Sequence, residues 1–461
     1  MHPSQRSNGQ INLTTARRLH NEQHGIREGA GTAVMQGAGE NFFTAFALTF
    51  HATTSQIGLL NVLPAFIGTF AQLASVLWLR WFDHRHAIVV AGATTQAILW
   101  LPLLLLPFLF PEYGVILIIT CAVLLVVVGH FTIPAWNSLI TDLLDPNTRG
   151  VYFAKRARIM SATSFATLLM GGLLLSWTQQ NQVAWVGFAT LFLVAASARG
   201  FAAHALRRLD ESDAPVTEHL NLRLQDFFGA GRHEAFFRFL LFSGFMHISA
   251  LLAGPYFALY LLRDLHLSYM EYSMWAAAAV LGGFLAINGW GRIGDLYGNR
   301  KLLMTTGYGL PILPFLYLAT EEVWWLIMIN GLAGMIWSGF NLGLQNIVYD
   351  LVKSEERAAA VAVSNGIIGA SAFIGTMIGG FLSTILAPNL TFGDFEVQFA
   401  SNLPVIFLVS ALLRIAVVIL FIKPLKEVRA VEPIPHHELF LELPIIKPMM
   451  DVIGRRVGHQ A

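Results

Sequence analysis

The chain has 461 residues, of which 55% are hydrophobic and 12% charged, with a mean hydropathy of +0.59 and a formal net charge of +1. Soluble domains carry roughly 25% charged residues, so this composition excludes an ordinary soluble domain and points to an integral membrane protein. The near-neutral balance gives no electrostatic footprint for nucleic acid. The single cysteine, Cys121, lies in an apolar run, so an intrachain disulfide is excluded and the residue reads as a small buried hydrophobe.

Residues 1–28 are polar and lack the short apolar core and small-residue cleavage site of a signal peptide. They read as a cytoplasmic N-terminal segment. A spanning helix needs about 20 apolar residues, and the chain offers twelve such runs. They lie near 30–50, 57–79, 87–110, 114–142, 157–176 and 183–203, then near 236–262, 272–292, 302–319, 323–351, 358–387 and 403–422. The expected organisation is a six-helix bundle over 29–203, a polar cytoplasmic linker at 204–235, a second six-helix bundle over 236–423, and a cytoplasmic tail at 424–461. With the N-terminus inside, only Arg263 of the 29 Lys and Arg residues falls on the far side. Arg199 and Arg414 lie within helices and the rest are cytoplasmic. That one-sidedness favours both the count of twelve and cytoplasmic termini, and the expected location is the cytoplasmic (inner) membrane.

The two halves resemble each other around spans 4 and 5 and spans 10 and 11. FTIPAWNSLITDLLDPNTRG and LLMGGLLLS in the first half parallel FNLGLQNIVYDLVKSEERA and TMIGGFLST in the second. Phe131 and Asn137 align with Phe340 and Asn346. After a one-residue deletion, Asp142, Arg149, Gly171 and Gly172 align with Asp350, Arg357, Gly379 and Gly380. A duplicated six-helix unit follows, an arrangement that places a transport site between repeats near the bilayer midplane.

Between spans 8 and 9 the chain reads GRIGDLYGNRK. Glycines here permit close helix approach and a tight turn, while Arg300 and Lys301 hold the turn at the cytoplasmic surface. The stretch resembles the G-x-x-x-D-x-x-G-x-R-K loop of the major facilitator superfamily, with Gly291, Asp295, Gly298, Arg300 and Lys301 at its positions. The resemblance implies an all-α integral membrane fold of twelve transmembrane helices, built as two pseudo-twofold-related six-helix bundles that work by alternating access. It also implies a gating role for those five residues together with Arg357, in which Asp295 faces the start of span 5 or Arg357. Two departures stand out. The first-half loop, LRWFDHRHAIV, lacks the Gly–Asp frame, and span 5 has no Gly-Pro signature of the drug-antiporter branch.

By the same resemblance spans 1, 4, 7 and 10 line the central cavity, and polar groups inside spans are functional candidates. Span 1 carries Gln36, Glu40 and Thr44 at i, i+4 and i+8, on one face of a continuous helix, with Asn41 beside Glu40. A carboxyl held in a membrane can bind and release a proton, so Glu40 is the expected proton carrier, assisted by His130 of span 4 or His247 of span 7. Gln36, Asn41, Asn137, Trp337, Asn341 and Gln345 are the candidate substrate contacts. Asn330, Trp337, Asn341 and Gln345 form one stripe on span 10. Gln96 reads as packing on span 3. Arg199 and Arg414 read as peripheral groups that snorkel or pair. Tyr256 and Tyr260 can share the cavity with His247 only if span 7 bends near Gly254-Pro255. Without Arg or Lys on spans 1, 4, 7 and 10, a strongly anionic substrate is not favoured.

No G-x-x-x-x-G-K-[ST] loop, H-E-x-x-H motif or Cys/His cluster occurs. No catalytic residue, metal site or cofactor is therefore expected. The sequence reads as a monomeric secondary transporter, not an enzyme, with a small-molecule substrate, protons and membrane lipids as partners. Two rival readings are a lipid flippase on the same scaffold and a non-transporting sensor that signals through its tail.

Overall fold

The computed structural model describes residues 3–78, 84–145, 148–210, 234–352, 357–392, 395–399 and 401–422, with 425, 427, 431 and 442–444 of the tail. Most of the expected linker and tail thus lie outside the described residues. The described chain makes twelve helical passages. Spans 2, 4, 5 and 6 are Thr54–Trp78, Gly114–Leu143, Arg149–Gln180 and Ala184–Arg207; spans 8, 10 and 11 are Tyr269–Tyr297, Val323–Leu351 and Arg357–Ile385. Span 3 joins Arg85–Leu99 to Pro102–Leu109, and span 12 runs Leu403–Val417 before a wide turn at Val418–Ile422. Among the described residues, ten helical stretches are long and apolar enough to cross a membrane, spans 3 and 7 included despite their breaks. The other two passages are spans 1 and 9, each interrupted: span 9 is Asn299–Gly309 followed by Ile312–Tyr317, split at Pro311. The expectation of an all-helical chain needs one amendment. A two-stranded antiparallel hairpin pairs Asn389–Phe392 with Phe395–Gln398, Asn389 opposite Gln398, where Thr, Phe and Val suit a strand.

Span 1 departs furthest from expectation. Its helix starts at Pro3, runs unbroken through residue 28 and ends at Ala38. A single tight turn, Glu40–Phe42, leads into Phe43–Thr49. The break has a packing cause. The indole of Trp100 occupies the space that a side chain at residue 39 would need and would collide with a Cβ there, so only Gly39 fits. Phe43 and Phe192 stack on that indole with centroids 5.2 and 5.7 Å away. At its other end span 1 is tied down by Arg18–Asp145 at 2.7 Å and by paired hydrogen bonds between Asn21 and Asp210.

The chain groups into two compact units, Met1–Asn221 with Ser268–Ser273, and Leu222–Leu267 with Met274–Ala461. In the first unit span 1 packs on spans 5 and 6, span 2 on span 4, and span 3 on spans 4 and 6. In the second, span 7 packs on spans 11 and 12, and span 9 on span 10.

Prolines in the second unit create a local accounting problem that side chains solve. Leu251 and Leu310 lose their usual helical partners because the residues four positions on, Pro255 and Pro314, have no N–H. In a membrane the freed carbonyls need protein donors. Thr376 Oγ1 donates to Leu251 O at 3.1 Å, and Arg414 Nη1 donates to Leu310 O at 2.9 Å. Span 7 accordingly breaks after Leu251, resumes as Gly254–Leu259, and widens at Tyr260–Asp264. An interruption at the expected place, just before Gly254-Pro255, is therefore present. Thr376 is fully buried. Thr376→Val keeps the shape and removes the donor, so a loss of about 1–2 kcal/mol is expected, read as a lower midpoint in chemical unfolding from detergent. An unchanged midpoint would refute this account of the carbonyl.

Candidate functional site

A cavity of about 370 Å³ lies inside the first unit, lined from spans 1, 3, 4, 5 and 6. Its polar wall joins Glu28, Gln36 and Glu40 of span 1 to Gln96, His130 and Asn137, and to Arg156 and Arg199. Glu28 is the hub. Its Oε2 accepts from Arg156 Nη2 at 2.7 Å, and its Oε1 accepts from Thr32 Oγ1 at 2.8 Å and from Arg199 Nη1 at 3.4 Å. Arg199 also donates to Thr32 Oγ1 at 2.7 Å and, through Nε, to Gln96 Oε1 at 2.8 Å. Gln96 is held in turn by donating to Leu125 O at 2.7 Å. The Arg156 guanidinium lies 4.5 Å from the ring centre of Trp136, an arrangement that favours the cation.

Glu40 lines the same cavity, and its carboxyl makes no hydrogen bond or ion pair among the described residues. Arg199 is the charged group that acts on it across the cavity. His130 packs against Gly68 with its Nδ1 buried and without a sound hydrogen bond.

Four of the expected site residues, Gln36, Glu40, His130 and Asn137, thus meet in one cavity. The shared face expected on span 1 is not realised, because the turn at 40–42 rotates the chain. Thr44 faces span 2, where its hydroxyl accepts from Asn61 Nδ2 at 3.2 Å. Asn41 caps the broken helix by donating to Gln36 O at 2.9 Å. Arg199 is no peripheral group: it is buried in the polar wall. Gln96 serves the cavity as well as the packing. Nor is an anion disfavoured any longer, since Arg156 and Arg199 enter from spans 5 and 6. The residues missed altogether are Glu28, Thr32, Trp136 and Arg156. A signal for two of them was present, because Glu28, Thr32, Gln36 and Glu40 recur every fourth residue.

The second unit holds the other candidates. His247 is buried and donates from Nδ1 to Ser243 O, 2.7 Å away. Its ring centre lies 6.1 Å from Trp337 and 6.2 Å from Phe340. Asn341 and Gln345 are exposed on the surface of span 10. Asn330 belongs to structure: it donates to Trp275 O at 2.7 Å and accepts from Tyr317, which accepts from Trp275 Nε1 at 2.8 Å. Asn346 is likewise architectural, joined through Asn299 to Asp350.

In the GRIGDLYGNRK loop, Gly298 takes φ +94, a conformation that favours glycine, and the Glu427 carboxylate fills the space beside it. That carboxylate accepts from the Arg300 backbone N–H at 2.9 Å, and the Arg300 side chain donates to Leu425 O. Gly291 has open space around it. Asp295 is exposed and does not pair with Arg357, whose guanidinium instead sits 6.0 Å from the ring centre of Tyr349. The Arg357 alternative for the clasp is therefore not realised. Lys301 lies in the first turn of the following helix.

Residues 239–456 match the model of the Major Facilitator Superfamily. Solved structures with the same fold cover nearly the whole chain at low identity. A bacterial homologue of the iron transporter ferroportin, in an inward-facing state, aligns with a TM-score of 0.68 at 16% identity, covering 88% of this chain and 98% of its own. The nucleoside transporter NupG gives 0.64 at 13% over 88% and 98%, and a D-xylose-proton symporter gives 0.65 at 13% over 90% and 99%. No curated protein sequence matches the chain.

Proposed function

Taking the Major Facilitator Superfamily transporter fold of this multi-pass membrane chain as the premise, we propose that the protein is a proton-coupled secondary transporter. It moves a small solute by alternating access, with Glu40 as the proton carrier. The observation that carries this reading is the Glu40 carboxyl in the wall of the cavity, without a hydrogen-bond partner in its own unit and across from Arg199. Glu28 is committed to two guanidiniums and a hydroxyl and is unsuited to that task. Glu40 is free to change protonation state without dismantling the fold, and His130, which lines the same cavity, is the proposed proton relay. Gln36 and Asn137 are the amides in the same wall that can read solute hydroxyl or carbonyl groups. Trp337, Asn341 and Gln345 of span 10 are proposed as solute contacts from the second unit, and a location in the inner membrane with cytoplasmic termini accompanies the reading.

The test is Glu40→Gln in proteoliposomes. Uptake driven by a pH gradient should fall at least tenfold, while solute exchange without a gradient persists. Proton-driven uptake at the wild-type rate would end the assignment.

A further inference from the structure

The cavity wall carries an imbalance of charge. Arg156 and Arg199 bring two fixed positive charges, and Glu28, paired with both, brings one negative charge. The side chain of Arg199 is 8% exposed and that of Arg156 15%. Neither guanidinium is fully used by its protein partners. Arg156 uses Nε and Nη2, and Arg199 uses Nε and Nη1. Nη1 of Arg156 and Nη2 of Arg199 have no hydrogen-bond partner among the described residues. The remaining titratable groups facing this space within the unit are Glu40 on span 1 and His130 on span 4, while span 3 contributes uncharged Gln96.

With Glu40 ionised the set of four charged side chains is neutral. With Glu40 protonated it carries a net charge of about +1 in a poorly solvated space, where an unmatched charge is costly. From this we infer that the cavity binds a solute with one anionic group, a carboxylate by its fit to guanidinium nitrogens, and that it does so together with a proton on Glu40. Solute and ionised Glu40 compete for one unit of positive charge, so each bound anion brings one proton and the transported pair is neutral. A dianion would leave net negative charge in the cavity, and a neutral amide would offer the free guanidinium nitrogens no charge to match once Glu40 is protonated. A volume of about 370 Å³ suits a small organic acid. The inference rests on the transporter reading above and adds the substrate class to it.

The experiment measures thermal stabilisation and affinity of the purified full-length protein with matched probes at pH 6 and pH 8. The probes are lactate and benzoate as monocarboxylates, lactamide and benzamide as their neutral partners, and succinate as a dianion. Monocarboxylates should bind, and bind more tightly at pH 6, by up to about tenfold per pH unit for one linked proton. Amides and succinate should bind at least tenfold more weakly. In Glu40→Gln the monocarboxylate should still bind, with the pH dependence gone. In Arg199→Gln binding should be lost, provided the variant elutes as a folded monodisperse species. Binding of no monocarboxylate at millimolar concentration, equal binding of acids and amides, tighter binding of succinate, or a pH dependence that survives in Glu40→Gln would each overturn the inference. The arms on wild-type protein need no variant to fold. If Glu40→Gln loses proton-driven uptake while acids and amides bind alike, the transporter reading stands and the charge-matching inference alone fails.

Discussion

Glu28→Ala is expected to destabilise the protein by about 3–5 kcal/mol, the usual consequence of removing one member of a buried ion cluster. The carboxylate is 5% exposed and faces both Arg156 and Arg199. Its removal leaves two guanidiniums in a poorly solvated wall with no opposing charge from that position. Thr32 and Gln96 can still accept hydrogen bonds from Arg199 but cannot neutralise it. Unfolding in mixed detergent micelles would read the loss. The triple change Glu28→Leu, Arg156→Met, Arg199→Leu supplies a control, because it removes the charges together and should cost less than Glu28→Ala alone. Glu40→Gln loses no hydrogen bond or ion pair within the unit and only leaves the cluster one positive charge in excess, so its midpoint should fall much less than that of Glu28→Ala. If Glu28→Ala and Glu40→Gln shift the midpoint equally, the division of labour between a structural and a titrating carboxyl is wrong.

Gly379→Val should be strongly destabilising in the second unit. An ideal Cβ at residue 379 would collide with Leu252 O and lie 2.7 Å from Tyr256 Cε2. The obstacle is backbone at the break in span 7, which cannot swing aside as a side chain can. Spans 7 and 11 must separate, and a cost of about 3 kcal/mol or more is expected, along with loss of the Tyr256 Oη donation to Thr376 O at 2.8 Å. Gly366, on the same helix, has nothing within 4 Å of where a Cβ would stand. Gly366→Ala should therefore be neutral or stabilising by up to about 1 kcal/mol, through helix propensity. Purification yield and melting temperature in a single detergent separate the two outcomes. Tolerance of Val at 379 would refute the close crossing.

Particular residues show how far the sequence reached. The passages were legible because a membrane demands about 20 apolar residues per crossing, and such runs are visible without tertiary information. Spans 1 and 9 were found by the same count, but their interruptions were not, since nothing local to Gly39 announces that Trp100, some sixty residues on, will occupy its side-chain space. Glu40, Gln36, His130 and Asn137 were found because polar groups in apolar runs are conspicuous. Glu28 was passed over for the opposite reason. It stands among other polar residues, and its burial depends on partners from spans 5 and 6.

The sequence by itself determined the membrane class, the spans, the repeat and the shortlist of intramembrane polar residues. These follow from bilayer thickness and from the cost of unsatisfied polar groups in lipid, both of which act on local stretches of chain. Only the tertiary structure decided which of those residues share a cavity, which carboxyl is committed to ion pairs and which is left without one. Burial and pairing are properties of contacts between distant segments: Arg156 reaches Glu28 across 128 positions of sequence and Arg199 across 171. No periodicity within a single helix encodes such a meeting.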